Sequence, residues 1–164
     1  RTERVLATVL FTDIVGSTSQ ASRLGDQRWL DLLADHDRIV RSQVERYRGR
    51  LIKTTGDGAI ATFDGPGRAI ACAIAINEMV SRLGLPIRAG IHTGEVQLRD
   101  GDAHGMGMHI AARVMGHAEN GGIVVSSTVK DLVVGSGFTF EPCGVVELKG
   151  VPGSWALYEV TSAE

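Results

Sequence analysis

The chain has 164 residues and a formal net charge of −2, with 43% hydrophobic and 22% charged residues. That balance belongs to one globular domain with a sizeable core, and it excludes the strong basic excess of a dedicated nucleic-acid binder. The longest wholly apolar run, Ala69 to Ile76, is too short to cross a bilayer. Cys72 and Cys143 stand too far apart for a metal or redox motif, so a reducing, cytoplasmic setting is expected. The chain opens on Arg1 without a signal-peptide pattern, which suggests an excised domain. Glycine, at 21 residues, is roughly twice the share expected at about 7%.

Val5 to Phe11 is apolar and rich in β-branched residues, which predicts a buried strand. Ser17 to Leu24 reads as a short helix. A longer one carries Trp29, Leu32, Leu33, His36, Val40, Val44 and Tyr47 on one face and stops at Gly49. Leu51 to Thr54 and Ala59 to Phe63 are short strands joined through Gly56-Asp57-Gly58, a hairpin signal. A helix over Gly67 to Leu83 and a strand over Ile87 to Thr93 follow. Strand, helix, hairpin, helix, strand is the ferredoxin-like βαββαβ order, an α+β fold with a mainly antiparallel sheet and helices on one face. A loop rich in Gly and Asp comes next, then a helix near Met108 to Met115 and a strand near Ile123 to Val125. A helix over Ser127 to Val134 and strands near Phe138 to Val146 and Trp155 to Val160 complete this C-terminal extension of the sheet.

Asp13 closes the first predicted strand just before the Gly16-Ser17-Thr18 turn, and Asp57 sits at the tip of the hairpin. In a βαββ unit those strands are neighbours, so the two carboxylates meet at one sheet end. Held close they repel, and a divalent cation relieves the repulsion; Mg²⁺ commonly takes one or two carboxylates together with substrate phosphates. Taken singly, each aspartate is equally a turn or capping residue. The histidines at 36, 92, 104 and 117 have no zinc-site spacing.

Five segments carry a resemblance: Phe11 to Thr18 (FTDIVGST), Lys53 to Gly58 (KTTGDG), Arg88 to Glu95 (RAGIHTGE), Gly105 to Arg113, and Leu148 to Gly150. Together they resemble the catalytic domain of class III adenylyl and guanylyl cyclases in its bacterial, mycobacterial form, over nearly the whole of residues 1–164. The resemblance implies the nucleotide cyclase fold and conversion of ATP to 3′,5′-cyclic AMP and pyrophosphate. It implies two metal ions, Mg²⁺ or Mn²⁺, on Asp13, Asp57 and the carbonyl of Ile14. Gly16, Ser17 and Thr18 would offer backbone N–H groups to the phosphates.

The same resemblance assigns Lys53 and Asp102 to adenine, because a donor and an acceptor there match its ring nitrogen and exocyclic amine. Arg113 falls at the position that stabilises the transition state, and Lys149 at one that contacts the triphosphate. His109 stands where the family usually has Asn, which orients the ribose. One protomer of a homodimer would supply Asp13 and Asp57, and the other Lys53, Asp102, His109 and Arg113. A regulatory domain in cis is also implied. The alternatives are a catalytically weak or silent nucleotide-binding regulatory module and an RNA-binding sheet; the latter would need aromatic, basic strands, and aromatics are only 5%.

Overall fold

The computed structural model describes residues 2–163. Strand β1 (Thr2–Ile14) runs through an eight-stranded sheet between β3 (Gly58–Phe63) and β4 (Ile87–Arg99). With β2 (Arg50–Thr54) on the far side of β3, the order β2-β3-β1-β4 is the ferredoxin-like core, antiparallel throughout. The sheet continues from β4 through β6 (Ile123–Ser126) and β8 (Ser154–Ala163) to β7 (Phe138–Glu147); the β4–β6 pairing is parallel.

Helices α1 (Ser17–Leu24) and α2 (Asp26–Arg46) follow β1, and α3 (Pro66–Ser81) joins β3 to β4. The buried stripe of α3, from Ala69 and Ile70 through Ala73 and Ile76 to Val80, has the spacing of one helix face. It packs with Val40 and Val44 of α2 on Leu10, Ile14, Ile87 and Ile91 of the sheet. Short α5 (Ser127–Leu132) adds Val129 to that core.

The core helices α2 and α3 share one face of the sheet, as expected. Helix α4 (Met106–Met115) crosses the opposite face, where its Met108 and Ala111 meet Ala7, Val9 and Val96. Alternation along β1 makes this possible, since Val9 and Leu10 point to opposite sides and both are buried. Gly90 supplies the room: a Cβ there would lie 2.3 Å from the backbone nitrogen of Met115.

Strands β1 and β4 are longer than their apolar centres predict. They pair without a break from Ile14↔Ile87 to Thr2↔Arg99, so ladder hydrogen bonds carry the polar ends. The loop expected after β4 contains a further strand, β5 (Asp102–His104), which folds back on β4. Its turn holds Asp100 at φ +53 and Gly101 at φ +80, the left-handed pair of a tight hairpin. Among the described residues no helix is long and apolar enough to cross a membrane.

Candidate active site

Asp13 is the penultimate residue of β1, paired with Gly58 on one side and Arg88 on the other. Asp57 lies in the turn between β2 and β3, and its carbonyl accepts from the Ile14 N–H at 2.8 Å. That bond ties the two acidic segments together although they are far apart in sequence. After Ile14 the chain reverses through Gly16, whose φ of +64 lies in the left-handed region, where glycine carries no Cβ penalty. Asp13, Asp57, Arg88 and the Gly16-Ser17-Thr18 turn at the N-terminus of α1 line one cleft of about 460 Å³.

Arg88 has no role in the sequence reading. Its Nε donates to Asp13 Oδ1 at 2.8 Å and its Nη2 to Oδ2 at 3.1 Å, a bidentate pair that is partly buried. The hydrogen bond to Asp13 raises the guanidinium above its ordinary value against the opposing effect of burial, with help from the charges of Asp13 and Asp57. The arginine was visible in the RAGIHTGE segment, but only the β1–β4 register names its partner.

A second group lies elsewhere on the same chain. Lys53 on β2 brings Nζ to 4.0 Å from Asp102 Oδ1 at the start of β5. That oxygen also accepts from the Ala103 N–H at 2.8 Å, and His104 Nε2 stands 3.5 Å from Oδ2. His109 and Arg113 are four apart on α4, hence on one side of it. His109 Nε2 is 2.8 Å from the Lys149 carbonyl, while Arg113 and Lys149 are exposed. None of Lys53, Asp102, His109, Arg113 and Lys149 lines the Asp13–Asp57 cleft.

The two carboxylates and the Ile14 carbonyl are hard oxygen donors suited to Mg²⁺ or Mn²⁺. Among the described residues there is no cluster of three or more His, Cys, Asp or Glu placed to hold a metal ion. Two carboxylates and a carbonyl would leave the remaining positions of such a cation to water or substrate phosphates.

The family model for the adenylate and guanylate cyclase catalytic domain matches residues 2–162. The chain belongs to that family. This cyclase domain is 29% identical over 157 residues to a Rhizobium meliloti (strain 1021) protein named "Putative adenylate cyclase 3", covering 90% of the chain and 27% of that protein. It spans 20–45% of the length of the curated relatives it matches. The crystal structure of the adenylyl cyclase CyaB from P. aeruginosa superposes with a TM-score of 0.91 at 22% identity, over 100% of this chain and 97% of that one. The catalytic core of a rhodopsin-guanylyl cyclase with converted specificity, in complex with ATPαS, gives 0.91 at 23% identity over the whole of both chains. Adenylyl and guanylyl cyclases thus share the fold of this nucleotide cyclase domain.

Proposed function

We propose that the domain is an adenylyl cyclase, closing ATP to 3′,5′-cyclic AMP with release of pyrophosphate. The observation that carries this reading is the meeting of Lys53 and Asp102 across β2 and β5. An ammonium donor beside a carboxylate acceptor complements the ring nitrogen and exocyclic amine of adenine. Guanine presents the reverse pattern and would leave both groups mismatched, a costly outcome in a recognition site.

Asp13, Asp57 and the Ile14 carbonyl would hold Mg²⁺ or Mn²⁺, two ions in this reading; bound there, the cations would lower the pKa of the ribose 3′-hydroxyl and neutralise phosphate charge. Arg88 keeps the Asp13 carboxylate oriented toward the cleft. The backbone of Gly16, Ser17 and Thr18 faces the phosphates with the N–H groups that open α1. Arg113 meets the charge that develops on the phosphates during in-line attack, and Lys149 adds a point charge at the triphosphate.

Because the second group of residues does not line the cleft of its own chain, a second copy completes each site. The working unit is a symmetric homodimer with two equivalent sites. The chain covers only part of its curated relatives, which agrees with a regulatory domain in cis, and a cytoplasmic setting would supply ATP. The engagement of His109 with main chain favours a second reading, a weak or silent nucleotide-binding module.

One assay separates the two. The purified domain is given ATP or GTP with Mn²⁺ at concentrations where it is dimeric, and the cyclic product is identified. Cyclic AMP is expected; cyclic GMP alone refutes the base assignment, and no cyclic nucleotide refutes the enzyme. Lys53→Glu should lower kcat/KM for ATP by about tenfold or more, and an unchanged preference for ATP would remove Lys53 from base recognition.

A further inference from the structure

His109 reaches from α4 to the turn between β7 and β8. A carbonyl oxygen only accepts, so His109 Nε2 carries a proton and donates to Lys149 at 2.8 Å. Residue 150 is glycine at φ +80, and a Cβ there would stand 2.8 Å from the same Nε2. The imidazole is therefore seated directly on the backbone of residues 149 and 150. Beneath it the turn is anchored: Leu148 is buried in one cluster with Ile110 and Val114 of α4, and Val151 N–H donates to the Leu148 carbonyl at 2.9 Å. Lys149 projects to solvent from this fixed base.

We infer that His109 is a positioning residue for Lys149, its ring N–H holding the 148–151 turn so that the lysine ammonium is aimed at the substrate's polyphosphate. This rests on the cyclase reading, in which Lys149 contacts the triphosphate. It differs from the role that the resemblance implies at this position, a direct ribose ligand, because Nε2 is committed to main chain and only Nδ1 is left. The geometry also explains what an amide at 109 would need. Glutamine places its terminal nitrogen as many bonds from Cβ as imidazole places Nε2, whereas asparagine is one bond shorter and falls short of the carbonyl.

The test is a series of His109→Asn, His109→Gln and Gly150→Ala, alone and combined with Lys149→Ala. Two readouts are used: steady-state kinetics with ATP and Mn²⁺, and calorimetric binding of inorganic tripolyphosphate, which needs no turnover. His109→Asn should raise KM for ATP and weaken tripolyphosphate binding by about five- to tenfold, the weight of one net hydrogen bond, with kcat changing less than KM. Gly150→Ala should do the same by displacing the ring. His109→Gln should recover most of the lost affinity. In the Lys149→Ala background, His109→Asn should add nothing, since the two act as one unit.

Additive losses overturn the proposal, as does a fall in kcat at constant KM, which would mark a direct ribose contact. A domain that binds tripolyphosphate through the His109–Lys149 unit yet makes no cyclic nucleotide would refute the cyclase reading and leave the positioning role standing.

Discussion

Acid should destabilise this domain through one buried imidazole. His92 on β4 is 4% exposed, with Nδ1 at 2.7 Å from Ser126 Oγ and its ring edge-on to Trp155 at 5.6 Å between centroids. Burial lowers its pKa from 6.5 to about 4. The unfolded chain therefore binds the proton more readily than the folded one, so stability falls as pH drops through 6.5 and the loss levels off below 4. Between pH 7.5 and 4.5 those two values correspond to a loss of about 2–3 kcal/mol. That is a large part of a marginal stability of about 5–15 kcal/mol. His92→Asn removes the titration and keeps an amide at the reach of Nδ1 to meet Ser126. Urea midpoints of both proteins across this pH range isolate the effect, because every other titrating group is common to them. The difference in unfolding free energy should change by about 2–3 kcal/mol in the variant's favour on acidification, and parallel curves would refute the assignment.

Two further outcomes follow from the geometry. Asp57→Ala and Arg113→Ala should each be inactive, and an equal mixture should recover about a quarter of wild-type activity, since random pairing makes half the dimers mixed and each mixed dimer has one intact site of two; a mixture as inactive as its parents excludes the shared site. Gly90→Ala forces a Cβ to within 2.3 Å of the Met115 backbone, so α4 must lift from β4 at a cost of about 2–3 kcal/mol in thermal or urea unfolding, and an unchanged midpoint would contradict the packing described.

The core was legible where local chemistry and long-range pairing agree. Gly56-Asp57-Gly58 announces a turn by itself, and the strands that flank it place Asp57 beside Asp13 once the βαββ order is accepted. Asp100-Gly101 carries the same kind of turn signal, yet the segment reads as a loop because β5 beyond it is only three residues long. Its polar ends, Asp102 and His104, show no apolar alternation. The face covered by α4 was not legible either: an amphipathic pattern says that a helix has a buried side, not which side of a sheet it covers. Arg88 was in full view without a partner, since its bond to Asp13 depends on a cross-strand register set 75 positions away. The His109–Lys149 contact is hidden for the same reason, joining a helix to a turn 40 positions later.

Electrostatics joins features that otherwise look separate. The cleft at the end of β1 offers a triphosphate two carboxylates against one guanidinium, and that guanidinium is already engaged by Asp13. By itself such a surface repels a polyanion. Attraction must be imported, and the proposed reaction has two sources for it: divalent cations on Asp13 and Asp57, and Arg113 and Lys149, which this chain holds away from its own cleft. Metal dependence and a site shared between protomers then answer one deficit of positive charge. A net charge of −2 is blind to such an arrangement, because what attracts the substrate is the local order of charges and not their sum.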